Sequence, residues 1–134
     1  ESFVLMNGDI LTRLDFKKMA EFHQKNRSWL TVGVKEYSHR LPFGVIEVNG
    51  NSIRGITEKP VETYPISTGI YIINTSCLRY MPVNKPFTMP MLINAVLKDR
   101  KKVAAYFFKE DWMAVEHLQH LEEINGDLER WVRE

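Results

Sequence analysis

The chain alternates short apolar runs with amphipathic stretches, an order of elements that is typical of α/β proteins. The first run, Phe3 to Met6, has four apolar residues without alternation and ends in Asn7, Gly8 and Asp9. Such a run predicts a strand that is covered on both faces, as in a parallel sheet. Open α/β sheets bind ligands at the carboxyl ends of these strands, where an Asp can hold a hard divalent cation.

The pattern of the first half predicts a helix, a strand and a hairpin. Leu11 and Thr12 lead into a helix that begins at the N-cap candidate Asp15 and ends near Asn26. One face of this helix carries Phe16, Met19, Ala20 and His23. A strand at 30–37 and a loop at 40–44 follow. The turn residues 49–51 (Asn-Gly-Asn), between apolar runs at 45–48 and 53–57, are a good hairpin signal.

The second half continues the alternation. Residues 61–65 are predicted to form a loop and residues 69–74 a buried strand. Thr88 can cap a helix that has Pro90 in its first turn and runs to about Lys98, and a strand is predicted at 103–108. A final helix carries an apolar stripe at helical spacing: Leu121, Ile124, Leu128 and Trp131 or Val132. Because no linker or change of composition divides the chain, we expect one domain over residues 1–134.

Composition and charge exclude several classes of function. A formal net charge of +1 gives no electrostatic argument for binding nucleic acid or an anionic membrane. The apolar content of 44% is ordinary for a globular domain, and the longest apolar runs are too short to span a bilayer. Cys77 is the single cysteine, which excludes an internal disulfide and fits a reducing cytoplasm.

Three sets of residues are candidates for ligand binding, and each has a purely structural alternative. Asp9 is either a cation ligand or part of an Asn-Gly-Asp turn that satisfies backbone geometry. Glu58 and Lys59 either bind sugar hydroxyls and a phosphate at one strand end or form a solvated strand terminus. Gly44 and Gly69 mark either the close approach of a ligand to the backbone or a bulge.

Other catalytic arrangements are missing from the sequence. The histidines form no zinc pattern, because no carboxylate or cysteine set completes one. The chain has neither a nucleophile elbow nor a glycine-rich P-loop. Tyr106, Phe107 and Trp112 are expected in the core rather than in a stacking platform.

Five short motifs occur in an order that is more specific than any one of them. They are Asn7-Gly8-Asp9 after an apolar strand, Pro42-Phe43-Gly44-Val45, Glu58-Lys59-Pro60, Ser67-Thr68-Gly69-Ile70-Tyr71, and Trp112 before a terminal helix. In this order the chain resembles the C-terminal half of the sugar-phosphate nucleotidyltransferases, which include glucose-1-phosphate thymidylyltransferases and mannose-1-phosphate guanylyltransferases. The resemblance extends from Phe3 to Asp127 and is closest to the bacterial enzymes that make nucleotide-activated sugars for surface glycans.

The resemblance implies a three-layer, Rossmann-like α/β fold with a mixed sheet of the nucleotide-diphospho-sugar transferase type, with the N-terminal half missing. It also implies an enzyme that joins a nucleoside triphosphate to a sugar 1-phosphate and releases pyrophosphate, by in-line attack and without a covalent intermediate. In that family, Asp9 would bind Mg²⁺, Glu58 would bind sugar hydroxyls, and Lys59 would bind the sugar phosphate as the catalytic residue. Backbone contacts to the sugar would come from Gly44, Thr68 and Gly69.

Three departures from the family's pattern bear on activity. The family's glycine-rich, Arg-containing nucleotide loop belongs to the N-terminal half, and Ser67 stands where Asn is common. Ala114 stands where the family places a second Asp, two residues after the tryptophan, so the expected Mg²⁺ site is weakened. Asp111 or Glu116 could substitute only with a shift of register.

An incomplete domain leads to further expectations. A sheet cut through its middle exposes a strand edge and apolar faces, so the chain is expected to associate with itself or to be a piece of a longer polypeptide. The leading hypothesis is an inactive sugar-binding part of an active cytoplasmic enzyme. The alternative, favoured by Ala114, is a non-catalytic paralogue with a sensing or assembly role. A glycosyltransferase of related architecture is a third option, which the motif at 58–60 disfavours.

Overall fold

The computed structural model describes residues 1–115, 122, 125–126 and 131. The described strands and α-helices follow one another in the order β1 (Ser2–Met6), β2 (Ile10–Thr12), α1 (Phe16–Lys25), β3 (Leu30–Arg40), β4 (Val45–Asn49), β5 (Ser52–Thr57), β6 (Val61–Asn74), α2 (Met89–Lys98), β7 (Val103–Phe107) and β8 (Trp112–Ala114). A short 3₁₀ helix, Thr75–Tyr80, lies between β6 and α2.

The chain packs as two compact units. The sheet unit consists of Glu1–Val34 and Ser67–Glu134, and the hairpin unit consists of Lys35–Ile66. Strands β3 and β6 contribute residues to both units, so the chain passes from one unit to the other along these two strands. The single domain expected from the sequence stays a prediction.

The main sheet has the strand order β1-β6-β3-β7. β1 is antiparallel to β6, with Met6 opposite Ile70, whereas β3 is parallel to β7, with Leu30 opposite Val103. Strands β2 and β8 form a separate antiparallel pair. The mixed sheet of the expected fold class is therefore confirmed.

Two apolar clusters cover the two faces of β6. One consists of Leu30, Tyr71, Ile73, Cys77, Leu92 and Val96, and the other of Leu14, Met19, Ile70, Ile72 and Phe108. Alternate residues of β6 enter opposite clusters, as the period of a strand requires. Because α2 contributes to the first cluster and α1 to the second, the sheet unit has three layers.

The prediction that the first strand is covered on both faces is wrong for this chain. β1 lies at an edge of the sheet, and β6 is its described partner. Its apolar side chains are between 37% and 48% exposed: Phe3, Val4, Leu5 and Met6. An apolar run shows that a strand would gain from burial. Whether it is buried depends on the helices and strands that pack around it, and a strand at the edge of a sheet has a neighbouring strand on one side only.

Helices α1 and α2 begin at the residues predicted for them. The carboxylate of Asp15 accepts a hydrogen bond from Lys18 N at 3.1 Å and caps α1. This backbone hydrogen bond holds the pKa of Asp15 below its ordinary value. α2 follows Thr88 and has Pro90 in its first turn, although the Thr88 side chain makes no capping bond.

The predicted hairpin is present as β4 and β5, which pair from Val45 and Thr57 to Asn49 and Ser52, with a bulge beside Glu47. Leu11 and Thr12 lead into α1 as predicted, and with Ile10 they form the short strand β2, for which no strand was predicted. One other local prediction was wrong, because residues 61–65 belong to β6 instead of a loop. Pro65 favoured the loop, but its part of β6 is exposed, where a strand tolerates a residue without an N–H.

Some sequence expectations for the C-terminal region have mixed outcomes. Tyr106 and Trp112 pack against the cluster that contains Met19, as expected, but Phe107 is 57% exposed. The apolar stripe predicted for the last helix lies mostly outside the described residues, which include only Trp131 of that stripe. Within the described residues, no helix is both long enough and apolar enough to cross a membrane.

Candidate functional site

The end of β1 leads directly into the β2–β8 pair. In this ladder Ile10 lies opposite Ala114, and Val115 N donates a hydrogen bond to Asp9 O at 2.7 Å. Asp9 itself is exposed. Position 114 therefore lies opposite the residue that follows Asp9. The resemblance implies two cation ligands at these two positions, 9 and 114.

The described residues do not fit a two-carboxylate Mg²⁺ site. Asp9 supplies one carboxylate, and Ala114 has a methyl group where an oxygen ligand would be needed. No group of three or more His, Cys, Asp or Glu side chains that could hold a metal occurs among the residues the structure describes. Asp111 accepts hydrogen bonds through its carbonyl from Arg13 N and Thr12 Oγ1, both at 2.9 Å. Glu116 lies outside the described residues.

Thr68 and Gly69, which lie inside β6, are the next candidate residues. Gly69 has φ +74, in the left-handed region that favours glycine. Asn7 N donates to Gly69 O at 2.9 Å, and Trp112 Nε1 donates to Thr68 O at 2.9 Å. A Cβ added to Gly69 would lie 2.7 Å from Asn7 Nδ2. Both backbone conformation and space therefore require glycine at position 69.

The Thr68 side chain is fixed by a glycine in the neighbouring strand. Thr68 is fully buried, and its hydroxyl donates to Gly33 O at 2.8 Å. A Cβ added to Gly33 would lie 2.8 Å from the same hydroxyl oxygen. A glycine inside a strand signals a close approach of another group, so the sequence carried this signal without indicating that Thr68 is the group that approaches.

The hairpin unit brings Gly44, Glu58 and Lys59 together at the open end of its ladder. Gly44 precedes β4 and Glu58 follows β5, so they continue the register beyond Val45 and Thr57. A Cβ added to Gly44 would lie 3.0 Å from Glu58 Oε2. The Glu58 carboxylate therefore takes the space that a side chain at position 44 would need.

Lys59 has an unusual backbone conformation. Its φ of 45° lies in the left-handed region, which residues other than glycine rarely adopt. Lys59 N donates to Phe43 O at 3.2 Å, and Leu41 N donates to Pro60 O at 3.0 Å, so hydrogen bonds on both sides hold the turn. Backbone strain that is held in this way concentrates at functional positions.

The predicted site residues thus fall into two groups. Asp9, Thr68 and Gly69 belong to the sheet unit, and Gly44, Glu58 and Lys59 belong to the hairpin unit. Asn7, Gly33 and Trp112 hold Thr68 and Gly69, and none of the three is among the predicted site residues. Asn7 and Trp112 were noticed only as parts of motifs, because their contacts join segments that are distant in sequence.

The sheet unit is a three-layer, mixed α/β structure in which Asp9 follows the end of β1, where such folds bind ligands, and Thr68 and Gly69 lie inside β6. The sequence profile of the family described as "Nucleotidyl transferase" matches residues 1–130. The chain therefore belongs to the nucleotidyl transferase family, and the resemblance to the sugar-phosphate nucleotidyltransferases is confirmed.

Similar proteins agree with this assignment. The glucose-1-phosphate adenylyltransferase of Bacillus subtilis is 30% identical over 96% of this chain and 37% of its own length. The mannose-1-phosphate guanylyltransferase catalytic subunit beta of Drosophila pseudoobscura pseudoobscura is 26% identical over 86% of this chain and 32% of its own length. The chain thus spans about a third of the curated relatives that it matches.

A solved structure supports the fold. A Bacillus anthracis protein described as a glucose-1-phosphate thymidylyltransferase, crystallised with sucrose, superposes with a TM-score of 0.67 at 21% identity. The superposition covers all of this chain (100%) and 56% of the other. At this identity the likeness confirms the nucleotidyltransferase fold.

Proposed function

We propose that this chain is the sugar-phosphate-binding part of an enzyme that joins a nucleoside triphosphate to a sugar 1-phosphate, giving a nucleoside diphosphate sugar and pyrophosphate. The observation that carries the proposal is the grouping of Gly44, Glu58 and Lys59 at the open end of the hairpin. There the Glu58 carboxylate and the Lys59 ammonium group belong to consecutive residues, and Gly44 beside them has no side chain. The two curated relatives described above support the substrate class, since both are named for a sugar 1-phosphate.

Each of these residues has one role in the proposed reaction. Glu58 accepts hydrogen bonds from sugar hydroxyls, and Lys59 neutralises the sugar phosphate. Gly44 lets the sugar approach the backbone of the hairpin unit. The backbone contacts that the resemblance implies for Thr68 and Gly69, which belong to the sheet unit, stay expectations. Since the phosphate oxygen attacks the α-phosphorus directly, Lys59 acts as the catalytic residue by positioning and charge neutralisation rather than by forming a bond.

The complete enzyme is expected to use Mg²⁺. When bound, the ion would neutralise charge on the phosphates, and Asp9 is the described residue that would hold it. With Ala114 in place of a second carboxylate, the expected affinity for Mg²⁺ is low. Because the chain spans 37% of its Bacillus subtilis relative, we assign the complete reaction to a larger protein and expect the 134-residue chain alone to be inactive.

The exposed edge of β1 supports a proposal of self-association. Four apolar side chains lie on β1, which ends the strand order of the main sheet among the described residues, and such an edge is a template for another strand. We expect sedimentation velocity to show a concentration-dependent dimer, and Val4→Lys to make the chain monomeric. A wild-type chain that stays monomeric at high concentration would contradict this. A cytoplasmic location and a role in bacterial surface glycans remain expectations from the sequence.

Calorimetric titration with glucose 1-phosphate and mannose 1-phosphate tests the main proposal. We expect saturable binding to the wild-type chain and its loss in Lys59→Ala. Lys85→Ala is the matched control, because Lys85 is also an exposed lysine but lies outside both groups of site residues. If a sample with native circular dichroism binds neither sugar phosphate, the proposal fails and only the family membership remains.

Ala114 favours a second candidate function, that of a non-catalytic paralogue with a sensing or assembly role. Restoring the carboxylate separates the two. In Ala114→Asp we expect the affinity for Mn²⁺, measured by electron paramagnetic resonance, to rise about tenfold because the charge of the ligand set increases. If the wild-type chain already binds Mn²⁺ as tightly as the variant, Ala114 is no argument for the non-catalytic role.

A further inference from the structure

We propose that Asn49 is a site of spontaneous covalent modification, where the backbone nitrogen of Gly50 displaces ammonia from the Asn49 side chain and water then leaves an aspartyl or isoaspartyl residue. The chain contains three Asn-Gly sequences, at residues 7–8, 49–50 and 125–126. A following glycine favours the reaction because it has no Cβ to hinder its own nitrogen. All three asparagines are exposed, so exposure does not distinguish the sites. The distinction comes from how each peptide group is held.

Each step of the reaction balances with water as the co-reactant. The Gly50 nitrogen forms a bond to Asn49 Cγ, and the bond from Cγ to Nδ2 breaks as ammonia leaves with the proton of the Gly50 N–H. Water then opens the resulting cyclic imide at one of its two carbonyl groups. Attack of the nitrogen on Cγ requires rotation about the Cα–C bond of the asparagine, so the reaction is fast where the following peptide group can turn.

The hairpin turn leaves the peptide group between Asn49 and Gly50 free to rotate. Asn49 is the last residue of β4 and pairs with Ser52, the first residue of β5. In the two-residue loop between them, Gly50 has φ +59, and no atom lies within 4 Å of a Cβ added to it. Among the described residues, Gly50 N donates no backbone hydrogen bond. Rotation therefore disturbs only the last pair of the ladder.

Contacts on both sides hold the peptide group between Asn7 and Gly8. Before it, Asn7 N donates to Gly69 O at 2.9 Å. After it, Val115 N donates to Asp9 O at 2.7 Å. The Asn7 side-chain amide also lies against Gly69, where an added Cβ would be 2.7 Å from Nδ2. Because both the backbone and the reacting side chain are restrained, ring closure at Asn7 needs a larger local opening of the structure than at the hairpin turn.

Helical geometry restrains the third site. Asn125 and Gly126 are both helical residues. In an α-helix the peptide groups bond to the backbone one turn away, so rotation of a single peptide group breaks the helical pattern of dihedral angles and hydrogen bonds. The structure therefore ranks Asn49 first among three sites with the same dipeptide sequence.

Peptide mass spectrometry after incubation in ¹⁸O-labelled water at mildly alkaline pH measures the three sites in one sample of the 134-residue chain. Each product carries ¹⁸O from the water, and electron-transfer fragmentation separates isoaspartyl from aspartyl residues. We expect product at residue 49 to form about five- to tenfold faster than at residue 7 or 125, the ratio for one further hydrogen bond that has to open. Equal rates at the three sites of the folded chain, or a first product at residue 7 or 125, would overturn the inference.

An unfolded sample and two matched variants separate structure from local sequence. In guanidinium chloride we expect the three sites to react at similar rates, since each is an asparagine followed by glycine. Asn49→Gln should remove the early product, because the longer side chain would have to close a larger ring. Asn51→Gln is the control: Asn51 lies in the same turn but precedes Ser52, so the early product should stay. An unfolded chain that keeps the ranking of the folded chain would show that local sequence sets it, and would contradict the proposal.

Discussion

The sheet unit and the hairpin unit hold their site residues by different physical means. In the sheet unit, Thr68 and Gly69 accept hydrogen bonds from two other segments, donate one to a third, and lie beside two buried clusters. In the hairpin unit, Glu58 and Lys59 are held by local backbone contacts, and the aliphatic side chains of Ile53 and Ile56 are 66% and 67% exposed. Site geometry therefore depends on core packing in the first unit and on local turns in the second.

The largest expected effect is on the free energy of unfolding and comes from removing a buried side chain of the sheet unit. Met19 is completely buried, so Met19→Ala should lower the free energy of unfolding by about 2–5 kcal/mol. Ile53→Ala in the hairpin should change it by less than about 0.5 kcal/mol because Ile53 is exposed. Urea unfolding measures both. Equal losses in the two variants would mean that the hairpin shares the stability of the core.

The next effect tests whether the contacts of Gly69 matter beyond its backbone conformation. Gly69→Ala combines a positive φ with a Cβ 2.7 Å from Asn7, and we expect a loss of about 2–4 kcal/mol of unfolding free energy. Gly50→Ala is the control, because Gly50 has φ +59 but no atom within 4 Å of an added Cβ. It should cost only about 1–2 kcal/mol. Thermal unfolding measures the stability of both variants. Similar losses would mean that the positive φ alone, and not the contact with Asn7, makes Gly69→Ala destabilising.

Gly44→Ala sharpens the comparison from the side of binding. The added Cβ would lie 3.0 Å from Glu58 Oε2 and 3.1 Å from Ile56 Cδ1, the far ends of two flexible side chains. These can move aside, so stability should change by less than about 0.5 kcal/mol. The displaced Glu58 carboxylate should weaken sugar 1-phosphate binding about tenfold, which corresponds to about 1.4 kcal/mol. Calorimetry measures this, and unchanged affinity would remove Glu58 from the site.

The smallest expected effect is a pH dependence that belongs to the sheet unit. His23 is buried, with Nδ1 2.8 Å from Thr31 Oγ1, and burial lowers its pKa below the ordinary value of 6.5. The unfolded chain therefore binds the proton more readily, and stability should fall as the pH drops through that ordinary value. Glu1 and Arg27 are the charged residues that line the adjacent cavity.

The variant His23→Gln should flatten the dependence of the unfolding midpoint on pH between neutral and mildly acid conditions. His39→Gln is the control, because His39 is exposed in the hairpin unit. The prediction is contradicted if the dependence of the unfolding midpoint on pH disappears in His39→Gln but persists in His23→Gln, because the hairpin unit would then be its source.

The sequence predicted those features that depend on neighbouring residues. Asp15 and Asn49-Gly50 act through local backbone geometry, and both the helix start and the hairpin turn lie where expected. The order of five motifs between residues 7 and 112 identified the family. The helix start, the hairpin turn and each single motif share one cause, since each signal is contained within a few residues.

What the sequence could not predict depends on contacts between distant segments. The exposure of β1 depends on which helices and strands lie beside it. The apolar run at residues 3–6 does not indicate what these neighbours are. The hydrogen bond from Trp112 to Thr68 spans 44 residues, so neither motif indicates the other. Ile10 and Ala114 lie opposite each other through the β2–β8 pair, which joins segments about a hundred residues apart.

The close contact between Gly33 and Thr68 has a consequence for how this sequence can change over time. Because the Thr68 hydroxyl occupies the space of a side chain at position 33, a larger residue there is excluded while Thr68 stays. A smaller residue at position 68 would remove the nearest of these contacts but also the hydrogen bond from the Thr68 hydroxyl to Gly33 O. A substitution at position 33 or 68 alone is therefore expected to lower stability. In evolution and in redesign the two residues have to change together.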